Sequence, residues 1–177
     1  RCPSIAHRQL AAGGTVGGIC VTTVGEGEVF AASGFTDISV ANVVVTGPKI
    51  TRLCALARSA KVTVAVDSEK NVKDLSEAAG ASGVSLDVLV YINTRLNGCG
   101  VEPGKPAADL ARVVSDAPAL RFAGLMTYGG NMLDLEPDDV AAESRKWIQR
   151  VLDTREMVEK AGMEVDVASV GGTHNYE

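Results

Sequence analysis

The sequence predicts an α/β fold, a (β/α)8 barrel of the TIM type, of which this chain contains about six of the eight strands. Short apolar segments alternate with helical segments along the whole chain, which is typical of a parallel sheet covered by helices. No Gly-x-Gly-x-x-Gly pattern follows the first strand, and no break of the kind that reverses a doubly wound sheet is seen. A doubly wound sheet is the alternative fold.

The strands are predicted from apolar runs rich in Val, Ala, Leu and Ile, as expected for buried parallel strands. The clearest run is VTVAV at 62–66, and Ser68 behind it is a residue type that caps helices. The six predicted strands occupy 16–21, 37–41, 62–66, 86–92, 121–127 and 164–169.

The helices are predicted between these strands from their end signals. Pro137 suits the first turn of a helix, and Gly34 and Gly162 are typical of helix ends. The predicted helices occupy 3–12, 26–34, 48–59, 68–81, a segment that begins near 106, and 137–161. The opening helix implies a strand in front of Arg1, and a complete barrel needs about 250 residues. We therefore expect the chain to be part of a longer protein.

Composition restricts the kind of partner and compartment. The formal net charge is −5 without any basic cluster, which argues against nucleic acid or an anionic membrane as partner. No apolar run approaches the length of a membrane span. The cysteines form no Cys-x-x-Cys pair, so we expect reduced, mostly buried thiols and a cytoplasmic protein. They are Cys2, Cys20, Cys54 and Cys99.

The histidines predict neither a metal site nor a nucleophile pair. His7 and His174 lie far apart in the sequence and show no metal-ligand spacing. His7 is expected at the surface or in an interface. Neither histidine stands beside Cys99 in the sequence, so Cys99 is not expected to act as a nucleophile.

Candidate site residues lie where the predicted strands end, because the chemistry of a parallel barrel sits at that edge. Tyr128 precedes two glycines at a strand end and is expected either to contact a ligand or to pack under a loop. Asp67 is expected to serve the site or only to cap the next helix. The polar segments at strand ends are Thr22 and Thr23, Asn42, Asp67 and Ser68, 93–100, 127–132 and 171–176.

The last strand leads into the turn Gly171, Gly172 and Thr173. Loops after strands seven and eight are the usual phosphate site of a barrel, because backbone N–H groups converge there on an anion. The turn is therefore a candidate phosphate-binding turn, with a plain turn as the alternative.

Several segments together resemble the fold-type III pyridoxal-phosphate enzymes, above all the group of D-threonine aldolase and D-3-hydroxyaspartate aldolase. This group is related to D-serine dehydratase and, more distantly, to the barrel of alanine racemase. The segments run in family order over almost the whole chain. They are RCPSIAHRQLAAGG, VGEGEVFAASGFTDISVAN, KITRLCALARSAKVTVAVDS, NGCGVEPGKPA, LRFAGLMTYGG and SVGGTHNYE.

The resemblance implies that residues 1–177 form part of a pyridoxal-phosphate-binding barrel of the alanine racemase N-terminal kind, followed by a mostly β second domain. Enzymes of this group cleave β-hydroxy-D-amino acids to glycine and an aldehyde, with the cofactor as electron sink. The Schiff-base lysine is expected upstream of Arg1, and the ligands of a divalent metal beyond Glu177. A homodimer is compatible with the resemblance. The alternatives are a non-catalytic cofactor-binding or interaction protein, and a dehydratase-like or racemase-like activity.

The resemblance also implies roles for individual residues. Tyr128 matches a tyrosine that packs at the pyridine ring of the cofactor. Gly171, Gly172 and Thr173 match the phosphate-binding turn.

Four positions depart from the family pattern. Gly98 stands where the family has an arginine that contacts the ring oxygen of the cofactor, and Asn93 replaces an aspartate. His174 and Asn175 stand where Gly-Thr is usual.

Overall fold

The computed structural model describes residues 2–14, 17–93, 98–128 and 135–171, in which strands and helices alternate. The strands are β1 (Ile19–Val21), β2 (Asp37–Val43), β3 (Lys61–Val66), β4 (Leu86–Tyr91), β5 (Leu120–Met126) and β6 (Val167–Ser169). The helices are α1 (Pro3–Ala11), α2 (Val24–Ala32), α3 (Gly47–Leu56), α4 (Glu69–Ser82), α5 (Lys105–Asp116) and α6 (Pro137–Lys160). None of these helices is long and apolar enough to cross a membrane.

The order of the strands in the sheet is the order of the strands in the chain. Each strand from β1 to β6 pairs in parallel with the next one. A doubly wound sheet reverses its strand order at a switch point, whereas a barrel adds each strand on the same side. The sheet curls into a half-barrel. The predicted incomplete barrel is confirmed, and the doubly wound alternative is wrong.

Alternate residues of the central strands β3, β4 and β5 face two different cores. On β4, Val88 and Val90 belong to the large core between the sheet and the helices. Leu89 and Tyr91 face the concave side, in a smaller cluster that also holds Ala65, Ala123 and Met126. Both sets are buried, which explains why the strands read as continuous apolar runs in the sequence.

Helix α2 begins two residues earlier than predicted, at Val24 instead of 26. The reason is a capping box: the Glu26 amide donates to Thr23 Oγ1 at 3.2 Å, and Glu26 Oε2 accepts from the Thr23 amide at 3.2 Å. This reciprocal pair satisfies backbone N–H groups that the first turn leaves without a helical partner. The pattern Thr-x-x-Glu was present in the sequence and would have located the start.

Strand β6 is shorter than the predicted 164–169 and contains only Val167–Ser169. Asp166 forms an ion pair with Arg121 instead of a strand pair. Where β6 begins, it approaches β5 very closely: a Cβ on Gly124 would lie 2.0 Å from the Val167 carbonyl oxygen. Gly124 therefore permits the contact by which the last strand joins the sheet.

Helix α1 is attached to the end of α2 by His7. The His7 ring lies 4.3 Å from the Phe35 ring, and its Nε2 is 2.9 Å from the Ser33 carbonyl oxygen. His7 is exposed, which confirms the predicted surface position.

The cysteines are free thiols, but their burial differs from the expectation that most are buried. Cys54 lies on the buried face of α3, Cys2 and Cys20 are exposed, and Cys99 is half-buried. Burial raises the pKa of the Cys54 thiol. The expectation is wrong for the other three residues because they lie in a short β-strand, before a helix and in a loop.

Ion pairs join three strands at the amino end of the concave face. Asp87 of β4 accepts two hydrogen bonds of 2.7 Å from Arg121 of β5, and Lys61 of β3 lies 3.6 Å from the same carboxylate. Arg121 also pairs with Asp166 in front of β6. The Asp87 side chain is only 13% exposed, and the Arg121 guanidinium hydrogen-bonded to it lowers its pKa.

We expect Arg121→Met to lower the free energy of unfolding by about 1–2 kcal/mol, between the values typical of exposed and buried ion pairs. Because the native pKa of Asp87 is lowered, its contribution is present above the pKa of an unfolded aspartate, about 4. That contribution is lost as the pH falls through the lower native value. Urea unfolding of both proteins at pH 7 and in acid should therefore show a difference that shrinks in acid.

Arg155→Met is the matched control, because Arg155 pairs with Glu159 on the exposed face of α6. It should change the free energy of unfolding by about 0.5 kcal/mol or less. Equal effects of the two substitutions would contradict a special role of the Arg121 network.

Candidate functional site

The carboxyl ends of the strands meet at one edge of the concave face, which we call the mouth. Below this edge the concave face carries the small side chains Ala65 and Ala123, with Ala41 packed against the same cluster. Tyr91 stands beside them as the last residue of β4. Ala65 and Ala123 are almost completely buried, whereas Ala41 is partly exposed on this face.

Residues 98–101 form a loop that folds back onto the end of β4, and we call it the 98–101 loop. Val101 donates its amide to the Tyr91 carbonyl oxygen at 2.9 Å, and Asn93 donates its amide to the Val101 carbonyl oxygen at 2.7 Å. Ile92 and Val101 thereby form an isolated parallel bridge. The loop is thus held at the mouth by the backbone itself.

Gly100 is the residue that allows this close approach. Its φ is +98°, and a Cβ at this position would lie 2.5 Å from the Asn93 amide nitrogen and 2.8 Å from Tyr91 Cδ1. Gly98 differs in both respects: its φ is outside the left-handed region, and a Cβ there would meet nothing within 4 Å. Only Gly100 therefore requires glycine.

Asp67 follows β3 and contributes to the mouth rather than to a helix cap. Its Oδ2 is 3.4 Å from the Gly100 amide nitrogen. The cap of α4 is Ser68, whose Oγ accepts from the Asn71 amide at 3.4 Å. The prediction of Ser68 as cap is confirmed, and the alternative in which Asp67 only caps the helix is wrong.

Tyr128 follows β5 and is 45% exposed at the mouth. The preceding residue, Thr127, is buried and is held on both sides: its amide donates to the Ser169 carbonyl oxygen at 2.9 Å, and its Oγ1 donates to the Ile92 carbonyl oxygen at 3.0 Å. Tyr128 therefore stands on a firmly anchored strand end, and its predicted contact with a ligand stays a prediction.

Tyr91 is the residue of the mouth that the sequence did not single out. It is buried, and burial, followed by interactions with Cys99 and Tyr128, raises its pKa to about 12. Its phenol is therefore neutral over the physiological pH range. Tyr91 lies in an apolar strand, where a tyrosine is usually a packing residue, so the sequence did not mark it as a site residue.

The candidate phosphate-binding turn begins where β6 ends. Gly171 follows the strand with a φ of +88°, a left-handed conformation that glycine adopts without strain. Gly172 and Thr173, together with the departures His174 and Asn175, lie outside the described residues. The predicted role of this turn stays a prediction.

Asn93 also departs from the family pattern, and its side chain faces a carboxylate. Its Nδ2 donates to Glu102 Oε1 at 2.9 Å. An aspartate at position 93 would place two carboxylates against each other, so the asparagine is matched to its neighbour in this chain.

Thr22, Thr23 and Asn42 end the first two strands but belong to a separate cavity of about 230 Å³ between α2 and α3. The amides of Thr22 and Thr23 already donate to Glu26 Oε2, at 2.8 and 3.2 Å. Arg52, also at this cavity, is paired with Glu28. The helix start is therefore occupied by the protein's own carboxylate.

None of the seven lysines is carried on the carboxyl end of a strand. Lys61 opens β3 at the opposite end, and the others lie on helices: Lys49, Lys70, Lys73, Lys105, Lys146 and Lys160. Among the described residues, no group of three or more His, Cys, Asp or Glu side chains could hold a metal ion.

The comparisons with known proteins agree with this geometry. The family model described as "alanine racemase, N-terminal domain" matches residues 3–177. The chain belongs to this family. D-threonine aldolase of an Arthrobacter species is 35% identical over 178 residues, and 3-hydroxy-D-aspartate aldolase of Paracoccus denitrificans (strain Pd 1222) is 35% identical over 170 residues. These alignments cover 100% and 95% of this chain but 46% and 44% of the relatives.

A solved structure supports the same assignment. The crystal structure of D-threonine aldolase from Filomicrobium marinum is 40% identical, with a TM-score of 0.92 over 98% of this chain and 47% of that one. This member of the alanine racemase N-terminal domain family thus spans about half the length of the relatives that it matches. The resemblance inferred from the sequence segments is confirmed.

Gly100→Ala should disturb the mouth, whereas Gly98→Ala should not. A methyl group at 100 requires a left-handed backbone and collides with backbone and with the Tyr91 ring, so we expect a loss of about 1–3 kcal/mol in the free energy of unfolding. Thermal unfolding and limited proteolysis of the loop would measure this. Equal behaviour of the two variants would contradict the described loop geometry.

Proposed function

We propose that the full-length protein containing this chain is a pyridoxal-phosphate-dependent aldolase that cleaves β-hydroxy-D-amino acids to glycine and an aldehyde. The observation that carries the proposal is the likeness to a D-threonine aldolase at 40% identity over 98% of this chain. The two 35% identical relatives are aldolases as well. A D-threo-3-hydroxyaspartate dehydratase of a Delftia species is only 27% identical, so aldol cleavage of a C–C bond is preferred to loss of water.

The residues of the mouth fit a flat, anionic cofactor of this kind. The exposed ring of Tyr128 offers a stacking surface, and the positive φ of Gly171 suits the start of a glycine turn. When bound, pyridoxal phosphate supplies the electron sink of the reaction.

The chain's own residues would bind and orient this cofactor. We assign Tyr128 to the face of the pyridine ring, where its side chain would exclude water from one side. Gly171, Gly172 and Thr173 would donate hydrogen bonds to the phosphate. The neutral phenol of Tyr91 places no negative charge beside an anionic ligand.

We assign the Schiff-base lysine and the metal ligands to residues outside this chain. The Schiff-base lysine must stand beside the cofactor with part of its population unprotonated, and the seven lysines of this chain occupy helices or the amino end of β3. We propose that this lysine and the ligands of a divalent metal belong to other parts of the full-length protein. A small-molecule substrate and a cytoplasmic location complete the proposal.

Turnover and cofactor attachment can be tested on the full-length protein. With pyridoxal phosphate and a divalent metal, it should release glycine and acetaldehyde from D-threonine but not from L-threonine. Borohydride reduction followed by peptide mapping should label one lysine outside these 177 residues. Labelling of one dominant lysine among the seven would refute the assignment. Cofactor attachment without cleavage of any β-hydroxy-D-amino acid would favour a non-catalytic cofactor-binding protein.

Gly98→Arg should tighten pyridoxal-phosphate binding to the full-length protein by about one to two powers of ten. A guanidinium on the open side of the 98–101 loop would add a charge-assisted hydrogen bond to the anionic ring oxygen. The position has room, because nothing lies within 4 Å of its Cβ site. The measurement is the cofactor dissociation constant, with Gly98→Ala as the control for the backbone. If both variants bind as the parent does, Gly98 does not face the cofactor.

A further inference from the structure

The 98–101 loop is attached to two neighbouring strands. Asp67, the residue directly after β3, places its Oδ2 3.4 Å from the Gly100 amide nitrogen, although the two residues are 33 positions apart in the chain. The next amide, that of Val101, donates to the Tyr91 carbonyl oxygen of β4 at 2.9 Å. The loop is therefore held to β4 through backbone atoms and to β3 through one carboxylate.

The surroundings of Gly100 fix where its amide lies. Gly100 packs directly on the end of β4, because a Cβ at this position would lie 2.8 Å from the Ile92 carbonyl carbon. On either side of it, Cys99 packs against the concave cluster and Val101 against the large core. The contact with Asp67 differs from these, because it depends on a polar side chain. A substitution can therefore remove it and leave the packing in place.

The position of Asp67 before α4 does not account for its contact with the loop. The cap of this helix is Ser68, whose Oγ accepts from the Asn71 amide. The charge of Asp67 also lies close to the amino end of α4, where the helix dipole favours an anion. That effect requires a negative charge, whereas the bond to Gly100 requires an acceptor oxygen. Substitutions that change one property and keep the other separate the two roles.

We propose that Asp67 is a positioning residue of the mouth, whose side chain fixes the Gly100 amide and thereby holds the 98–101 loop beside the ligand. The inference rests on the proposed function only where it names pyridoxal phosphate as that ligand. Gly98, which matches the cofactor-contacting arginine of the family, stands two residues before Gly100 in the same loop. Asp67 acts through the loop and needs no contact with the reacting atoms.

Hydrogen exchange of the full-length protein without cofactor tests the contact itself. In Asp67→Ala, amide exchange in a peptide covering residues 98–104 should be about two- to tenfold faster, because the Gly100 amide loses its acceptor. In Asp67→Asn it should stay close to the parent rate, because the side-chain amide oxygen can accept the same bond. A peptide covering β4 should exchange equally in all three proteins, since its pairing with β3 and β5 remains.

Cofactor binding tests the consequence for the ligand. Asp67→Ala should raise the dissociation constant of pyridoxal phosphate about two- to tenfold, the usual effect of one net hydrogen bond, and Asp67→Asn should retain most of the affinity. An equal loss in both variants would assign the effect to the charge and overturn the inference. Tighter binding by both variants would mean that the carboxylate repels the anionic cofactor directly, which would overturn it as well.

Asp74→Ala is the matched control, because it removes the same charge from α4. Asp74 pairs with Lys70 of the same helix, whose side chain is largely exposed. Exchange in the 98–104 peptide and the cofactor dissociation constant should both match those of the parent. If Asp74→Ala accelerates exchange in this peptide as much as Asp67→Ala does, the effect is a general one of α4 and the positioning role is overturned.

Failure of the inference and failure of the proposed function give different results. If the parent binds pyridoxal phosphate and Asp67→Ala binds it equally well, the positioning role is overturned and the proposed function stands. If the parent does not bind the cofactor, the proposed function fails. The exchange measurement then still decides the contact, and an unchanged rate in Asp67→Ala would overturn it.

Discussion

Parallel pairing of consecutive strands is the constraint on which the rest of this structure depends. Because each strand from β1 to β6 pairs with its successor in the same direction, all carboxyl ends meet at one edge and the helices return on the outside. Residues far apart in the chain, such as Asp67 and Gly100, come into contact at that edge. Within the described residues, β1 and β6 each pair on one side, the arrangement that further strands complete in a closed barrel.

The residues at the two ends of the concave face differ in their interactions. At the amino end, Asp87 pairs with both Arg121 and Lys61, so these residues contribute to stability by joining three strands. At the carboxyl end, Gly100 adopts a left-handed conformation and Tyr128 is exposed. This division agrees with the general rule that barrels separate their stabilising face from their active face.

The departures from the family pattern at positions 93 and 98 leave the backbone contacts of the mouth intact. The 98–101 loop is held by backbone hydrogen bonds of Asn93 and Val101, which do not depend on the side chain at position 93 or 98. The loop can therefore keep its place while Gly98 leaves an open position and Asn93 faces Glu102.

The sequence by itself determined the alternation of strands and helices, the incomplete barrel and the segments that mark the family. These features are local. An apolar run, a helix cap such as Ser68 and a first-turn proline such as Pro137 each affect the structure of only a few neighbouring residues. The start of α2 was missed although its capping box is equally local. The Thr-x-x-Glu pattern that indicates this helix start is present in the sequence.

Only the tertiary structure decided which residues share the mouth. Nothing in the sequence places Tyr91 at the mouth, because its position there depends on a loop whose Gly100 and Val101 fold back onto it. Gly98 and Gly100 look alike in the sequence, and only the backbone angle and the surrounding atoms show that one is required and the other is open. The physical reason is that strand register and loop closure bring distant segments together, and neither leaves a local pattern.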